Sequence, residues 1–439
     1  MKKLTLFTFC LITLSGFAQT KSDSLQITLQ QAIEIALNES PNMRIADRTI
    51  ETKKYYRKEQ IVGLFPNVTG AASYQRTLQK QKMVMDFMGQ SMEIEVGTSN
   101  NMVLSANLSM PIIMPALWNT LKLTSMDIEL AVEQARASKI ALINNVKKAY
   151  YAVLMAQKSY NVLMDNYKNI EGNARFVTDR YNQGLVSEFE KLRADVQVQN
   201  AKPNLNAAIN AIDISQKALK IYMGVNIHEP LVFTGELKDF ETEMEAAKLP
   251  EKNSLSLEGN TDLKQMDMTI QQLERSRKIV ISGACPMLAL SGSYQYMTMG
   301  NDIPFNQFNW FPYSVVGVSL QIPIVSWAST AYKNKQIKNN IQNMNDTRLN
   351  AERMLWLSVT ANLSNIDKAL ADFESTTESV NMAARAYNIA QKQYEVGMGT
   401  WLDLNNAELA LLRSQLLYYQ SIYDYLVAQA ELEYVLGRN

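Results

Sequence analysis

The sequence is poor in residues that interrupt helices and in residues that carry out most chemistry. Its 439 residues include only 17 glycines and 11 prolines, which favours long uninterrupted helices. It contains a single histidine, His228, and two cysteines, Cys10 and Cys285. Such a set cannot build a metal site of ordinary composition, and no phosphate-binding loop or dinucleotide motif is present. We therefore predict no cofactor, no metal site and no enzymatic activity.

Two further absences narrow the class of protein. The 43 basic residues balance the 43 acidic residues, so the net charge does not indicate nucleic acid as a partner. Beyond the N-terminal segment, no uninterrupted apolar run reaches about 18 residues, so we expect no membrane-spanning helix.

The N-terminus itself has the pattern of an export signal. Two lysines precede the apolar run 4–14, and the small residues Gly16 and Ala18 follow it. This arrangement predicts a secretory signal peptide over residues 1–18. Its removal would leave Cys285 as the only cysteine, which excludes an intrachain disulfide.

One short pattern occurs twice, and its glycines, Gly184 and Gly397, are 213 positions apart (397 − 184). A glycine accepts the left-handed backbone that ends a helix, and a serine or threonine followed three residues later by an acid begins the next helix. The pattern therefore predicts two tight turns at the tips of helical hairpins. Its residues are Tyr181, Gly184, Ser187, Glu190, Ala194 and Asp195 in the first copy, and Tyr394, Gly397, Thr400, Asp403, Ala407 and Glu408 in the second.

Two regions alternate apolar and polar residues, as one-sided β-strands do. We predict β-hairpins over about 67–112 and about 287–323, with a loop rich in Met and Gln inside the first. Each strand has roughly the 9–11 residues that cross a bilayer. The apolar positions are Val68, Gly70, Ala72, Tyr74, Met102, Leu104, Ala106, Leu108 and Met110, then Leu288, Leu290, Gly292, Tyr294, Tyr296, Val316, Val318, Leu320 and Ile322.

Long stretches without proline predict the helices. The stretch 115–181 predicts a helix of about 100 Å at 1.5 Å per residue, and the stretch 328–394 predicts a second one. A seven-residue repeat of mostly small residues, with a second apolar line beside it, indicates neighbours on both sides, as in a tube of helices. Pro203 predicts a kink or break in the helix after the first turn. The last helix is expected from Thr400 to about Gly437.

These patterns describe one architecture built twice. We predict a first repeat over residues 19–224 and a second over 263–439, each made of helix, β-hairpin, long helix, turn and helix. Residues 225–262 are expected to link them and include a short β-like run that starts at Leu231. The beginning of the first repeat, from Leu25 to about Gly63, is expected to be helical with a break at Pro41.

Four strands cannot close a barrel in a membrane. An open sheet leaves two edges unpaired, lipid offers nothing to pair them, and the smallest closed barrels have about eight strands. If the apolar faces meet lipid, several chains must therefore share one barrel. The other interpretation is a soluble sheet packed on the helices.

The ordered, duplicated set of elements and turns resembles the TolC-type outer membrane efflux protein family. The resemblance implies an α+β membrane protein that forms a homotrimer in the lipid of the outer membrane. Four strands per chain would give a twelve-stranded β-barrel, continued by an α-helical coiled-coil barrel in the periplasm. The turns would engage a periplasmic adaptor (membrane fusion) protein, coupled to an inner-membrane transporter of the RND, ABC or a similar type. The channel would be the passive conduit of a tripartite efflux pump or a type I secretion system.

The resemblance also implies a gate at the turns. In the family, rings of acidic side chains narrow the tube at the turns. Asp403 stands at one of these acidic positions, whereas Asn406 stands where a second aspartate is frequent. Tyr394 and Glu190 match polar links that hold the two hairpins together. The basic residue of those links is replaced by Gly399, so that part is absent or supplied elsewhere. The residues expected to contact the adaptor are Gly184, Leu185, Val186, Ser187, Gly397, Met398, Gly399 and Thr400.

Two alternatives stay open at this point. Asp403 and Glu190 also fit simple helix N-terminus chemistry, because acids are favoured in a first turn. The whole chain could instead be a soluble periplasmic coiled-coil adaptor or scaffold without pore activity, which would have the helices and turns but no amphipathic hairpins. Within the channel reading, the sequence does not choose between efflux of small molecules and export of proteins.

Overall fold

The computed structural model describes residues 25–87, 89–246, 255–301, 309–325 and 327–438. The signal peptide predicted over 1–18 lies outside these residues. The chain divides into two compact units. The tip unit takes its described residues from segments 1–40, 145–248 and 366–427, and the sheet unit from 41–144, 249–365 and 428–439.

Helices account for most of the described chain, and the two longest have 68 and 69 residues, close to the predicted bounds. Among the described helices, none combines the length and the apolar character needed to span a membrane. A short 3-10 helix, Leu237–Phe240, precedes the fifth α-helix. The α-helices are α1 (Leu29–Glu39), α2 (Pro41–Val62), α3 (Pro115–Asn182), α4 (Glu188–Met223), α5 (Glu241–Ala246), α6 (Thr261–Ser282), α7 (Trp327–Glu395) and α8 (Trp401–Val435).

A kink or break was predicted at Pro203, and the break is wrong. Pro203 lies inside α4, which runs without interruption from Glu188 to Met223. Proline removes one helix hydrogen bond and clashes one turn back. In α4 this local cost falls at an exposed position of a 36-residue helix whose other face is packed, so the helix continues through it.

The strands of the sheet unit form the one-sided sheet that the alternation predicts. A four-stranded antiparallel sheet has the order β2-β5-β7-β8. Its register aligns the predicted apolar positions across all four strands, so that Val68 lies opposite Leu108, Leu108 opposite Gly292, and Gly292 opposite Val316. The strands are β1 (Leu25–Ile27), β2 (Asn67–Arg76), β3 (Gln81–Phe87), β4 (Gln90–Val96), β5 (Asn100–Ile113), β6 (Leu231–Phe233), β7 (Met287–Gly300) and β8 (Trp310–Gln321).

The opposite face of this sheet is linked by polar side chains. Ser293 donates to the Asn107 side-chain oxygen at 2.8 Å, and Asn107 donates to Ser105 at 3.3 Å. Gln295 in turn donates to Ser293 at 3.3 Å. The sheet therefore has one apolar face and one hydrogen-bonded polar face, which is the distribution expected of strands between lipid and water.

The segment predicted as a loop in the first hairpin contains a second small sheet. Strands β3 and β4 pair antiparallel, with Met83 opposite Ile94 and Met85 opposite Met92. These four side chains share one exposed face, each between 40% and 54% accessible. The cross-strand apolar pairs on this face favour pairing of the segment with itself over an open loop.

In the tip unit, the start of the described chain is a strand rather than the predicted helix. Residues Leu25–Ile27 form β1, which pairs parallel with β6 in the predicted linker. The Tyr150 hydroxyl lies within hydrogen-bonding distance of the backbone carbonyls of Ile27, at 3.2 Å, and Thr234. Pairing with a distant strand overrides the local helical pattern here. The helix begins only at Leu29, after the N-cap Thr28, whose side chain forms a capping box with Gln31.

Candidate functional site: the paired helix tips

The two predicted turns have the same backbone geometry. Gly184 and Gly397 have φ of 75° and 79°. In the first turn the N–H of Leu185 donates to the carbonyl of Arg180 at 2.9 Å, and in the second the N–H of Met398 donates to that of Gln393 at 2.8 Å. This pattern satisfies the last carbonyls of α3 and α7 and requires a left-handed residue, which glycine supplies without strain.

The helices that leave the turns are capped as predicted. The Ser187 hydroxyl accepts from the N–H of Glu190 at 3.3 Å. In the second turn, the Thr400 hydroxyl accepts from the N–H of Asp403 at 3.1 Å and donates to the Asp403 carboxylate at 2.5 Å. That carboxylate also accepts from the N–H of Thr400 at 3.3 Å. Asp403 therefore caps α8, and its side chain remains exposed to solvent.

One apolar core lies behind both turns. It joins residues of all four helices that meet there, so the two hairpins are packed against each other rather than standing apart. Burial of these side chains is the main force that holds the tips together. The buried members are Ala174 and Val177 of α3, Ala194 of α4, Tyr387 and Tyr394 of α7, and Trp401 and Leu404 of α8.

Tyr394 is buried in this core. It is 4% exposed and packs edge-on against Phe176 and Trp401, with ring centroids at 6.0 and 5.7 Å. Its hydroxyl has no hydrogen-bond partner among the described residues. Burial and then the negative charge of Glu190 raise the phenol pKa, while Arg180 lowers it. Glu190 and Tyr394, predicted to link the hairpins, therefore lie within electrostatic reach of each other.

Arg180, which the sequence analysis missed, joins the hairpins directly. Its guanidinium donates to the backbone carbonyl of Tyr394 at 3.1 Å. It also lies over the rings of Phe176 and Tyr394, at 5.6 and 5.9 Å from the centroids. The family comparison sought a basic group after Gly397, whereas this one comes from the end of α3. Arg180 directly precedes the turn pattern at Tyr181, and its partner is a backbone atom, so no sequence signal marks it.

The residues predicted to contact an adaptor are mostly exposed. Leu185 and Met398 are 60% and 83% accessible, and Gly184, Ser187, Gly397 and Thr400 are exposed. Val186 instead packs against the core behind the turns. Gly399 is half-buried, and a Cβ there would lie 3.1 Å from the Gln393 side chain. Asn406 is exposed.

A buried carboxyl lies behind the turns and was singled out only as part of the repeated pattern. Glu408 of α8 is 4% exposed. It accepts from the side-chain amides of Asn166 at 3.2 Å and Asn173 at 3.5 Å, both on α3. Burial raises the Glu408 pKa to about 7, and the bond from Asn173 opposes that shift. Elsewhere between the hairpins, Gln197 of α4 donates to the side chain of Asn405 of α8.

The described residues offer no evident place for a metal ion, since no three His, Cys, Asp or Glu side chains among them come together. Cys285 is a free, half-buried thiol. The functional groups described at the tips are helix caps, buried tyrosines and a few charged side chains.

Comparison with known proteins identifies the kind of protein that carries these tips. The family model described as "Outer membrane efflux protein" matches residues 32–225 and 253–438. The chain belongs to this family. It is therefore an outer-membrane protein of a family of efflux and secretion channels, as the sequence analysis predicted.

Individual relatives are distant. Outer membrane protein TolC of Vibrio cholerae is 22% identical over 340 residues, covering 75% of each chain. Alkaline protease secretion protein AprF of Pseudomonas aeruginosa is 20% identical over 422 residues, covering 95% of this chain and 86% of that protein. The crystal structure of the CmeC outer membrane channel of Campylobacter jejuni aligns with a TM-score of 0.73 at 16% identity, over 93% of this chain and 85% of that one. At this identity the structural likeness concerns the fold alone.

Proposed function

We propose that three copies of this chain form a passive conduit that carries substrates of an efflux or secretion system across the outer membrane. The observation that carries the proposal is the pairing of the sheet. Among the described residues, β2 pairs only with β5 and β8 only with β7, so the sheet has two free edges. Free edges in lipid leave backbone groups without partners, and pairing β8 of one copy with β2 of the next removes them.

The two faces of the sheet support the same arrangement. The apolar face, with Val68, Leu108 and Val316 in one row, suits lipid. The polar face, with its Asn107 and Ser293 hydrogen bond, suits a water-filled lumen. Three copies give a barrel of twelve strands, and the helices of the copies form the wall of a periplasmic tunnel. The proposal does not favour small molecules over proteins as cargo.

The proposal includes two repeats in each chain. Strand pair, long helix, turn and helix occur in the same order twice, as β2 and β5 with α3 and α4, and as β7 and β8 with α7 and α8. We propose residues 19–224 and 263–439 as the repeats and 225–262 as the linker, which includes β6 and α5. The equal backbone geometry of the two turns supports this duplication.

The first test is the mass and the conductance of the purified protein. We expect release from membranes by detergent but not by salt, a particle of three chains by light scattering, and discrete ion conductance in planar bilayers. A soluble scaffold would instead be released by salt and would not conduct. A stable monomer in detergent with no conductance would contradict the proposal.

We also propose that the tips gate the conduit. Three Asp403 carboxylates around a threefold axis would repel one another and attract cations, so that small helix movements change the opening. The exposed Asp403 side chain is compatible with this role and with its cap to Thr400. Tyr394, Glu190 and Arg180 would hold the two hairpins of each chain together. The exposed Asn406 would form an uncharged ring.

Replacing Asp403 with asparagine should raise single-channel conductance and weaken cation preference, because the charged ring is lost. The same change weakens the cap of α8, so Thr400→Ala is the matched control: it removes the capping hydroxyl and keeps the carboxylate. Planar-bilayer recordings with asymmetric KCl measure both quantities. An equal change in the two variants would assign the effect to the cap rather than to the ring.

The exposed turns are proposed to engage a periplasmic adaptor coupled to an inner-membrane transporter. A bulky side chain at Gly184 should reduce co-purification of the adaptor from native membranes. Gly184→Ala shares the strain of φ at 75° without the bulk, and no heavy atom lies within 4 Å of its Cβ, so it serves as the control. If Gly184→Trp retained the adaptor as well as Gly184→Ala, this turn would not be the contact.

A further inference from the structure

A hydrogen-bonded cluster around Glu408 connects the second hairpin to the first. The Glu408 carboxyl of α8 accepts hydrogen bonds from two side-chain amides of α3, from Asn166 at one oxygen and from Asn173 at the other. Asn166 and Asn173 are seven positions apart and so lie on one face of their helix. The Tyr387 phenol on α7 lies near enough to Asn173 and Glu408 for both to influence its pKa. Three helices from both hairpins thus meet at one carboxyl.

This carboxyl has no charged partner of opposite sign in the cluster. The amides of Asn166 and Asn173 are neutral, and the phenol of Tyr387 has its own pKa raised by burial and by the charge of Glu408. Glu395 of α7 adds a further negative field at Tyr387. An ionised carboxylate in such surroundings is costly, whereas a protonated one is not.

The remaining neighbours do not supply a cation either. On α3, the exposed side chains of Glu171 and Arg175 pair with each other at 3.2 Å. From α4, the buried Ala194 belongs to the core behind the turns, and the partly buried Val198 packs against that core, as Ala407 of α8 does. The protonation of Glu408 is therefore set by burial, which favours the neutral acid, and by two neutral donors, which favour the carboxylate.

We propose that Glu408 is a proton-operated link between the two hairpins: when protonated it stabilises their packing, and when it loses its proton it favours their separation and opening of the gate. This inference rests on the proposed gate and adds its regulation by pH. The link would keep the gate closed more of the time in acid than in a mildly alkaline medium.

The direction of the pH effect follows from the direction of the Glu408 pKa shift. In the packed tips the pKa is raised from 4.5 to about 7, so the packed state binds the proton more tightly than a solvated Glu408 does. The stabilisation is complete below pH 4.5 and is lost as the pH rises through about 7. Between pH 5.5 and 8.5 this linkage changes the ratio of open to packed tips by roughly 30-fold per chain.

Hydrogen exchange of the full chain in detergent tests the link without requiring conductance. Amide exchange over residues 401–411 is measured from pH 5.5 to 8.5 and corrected for the intrinsic effect of pH. Wild type should lose protection as the pH rises, and Glu408→Gln, which keeps the shape without the charge, should stay flat. Asn173→Ala should move the transition to higher pH, because it removes a donor to the carboxylate.

Asp195, the equivalent residue of the first turn, provides the matched control because it is exposed. Asp195→Asn should keep the wild-type response. A Glu408→Gln protein with the wild-type pH response would overturn the link. Bilayer conductance of the same samples separates the two ideas: no conductance at any pH rejects the conduit, while conductance that ignores pH despite Glu408-dependent exchange rejects the coupling to the gate.

Discussion

Replacing Gly224 with alanine should destabilise the tip unit by roughly 2–5 kcal/mol. Gly224 ends α4 with φ of 74°, and a Cβ there would lie 2.6 Å from the carbonyl oxygen of Glu39 and 2.8 Å from the Cα of Ser40. Both contacts are backbone atoms at the end of α1, so neither can turn aside. The left-handed strain costs about 1–2 kcal/mol, and overpacking adds about 1–3 kcal/mol.

Gly184→Ala separates these two costs. Gly184 has nearly the same φ, 75°, but a Cβ there meets no heavy atom within 4 Å. It should therefore lose only the roughly 1–2 kcal/mol of backbone strain. Thermal unfolding followed by circular dichroism gives the global effect, and hydrogen exchange over residues 29–39 shows whether α1 loosens from α4. Equal losses in the two variants would mean that α1 and α4 do not approach as closely as described.

The turns could be predicted from the sequence because their causes are local. A glycine, a hydroxyl three residues later and an acid three residues after that specify a helix end and a helix start within one short stretch. The strands were predictable for the same reason, since the alternation at Leu104, Ala106 and Leu108 is a property of adjacent residues.

What the sequence did not predict depends on distant partners. Arg180 acts on the carbonyl of Tyr394, more than two hundred residues away, and a backbone atom leaves no trace in the sequence. Glu408 was read as part of a repeated pattern, yet its amide partners on α3 make it unlike the exposed Asp195. The strand Leu25–Ile27 likewise exists because β6 pairs with it. Patterns among neighbouring residues in the sequence do not predict such long-range pairings.

Replacing Arg180 with glutamine should increase the open fraction of the proposed gate by roughly tenfold or more. The guanidinium donates to the Tyr394 carbonyl at 3.1 Å and covers the Phe176 and Tyr394 rings. A hydrogen bond from a charged donor contributes about 1.5–3 kcal/mol, and 1.4 kcal/mol is about tenfold in an equilibrium. Arg180→Lys should be intermediate, because lysine keeps the charge but not the planar fork that stacks on the rings.

Arg175→Gln is the matched control for the loss of positive charge. Arg175 lies on the same helix, and its guanidinium pairs with Glu171 on that helix at 3.2 Å rather than with the other hairpin. Single-channel recordings of the three variants in planar bilayers, together with hydrogen exchange over residues 387–404, measure opening and local packing. Of these two arginines Arg180 is the one that bonds to Tyr394, so a rise that is equal in Arg175→Gln and Arg180→Gln would trace the effect to net charge. A rise confined to the Arg180 variants would identify the end of α3 as the place where this chain supplies the basic group that Gly399 lacks.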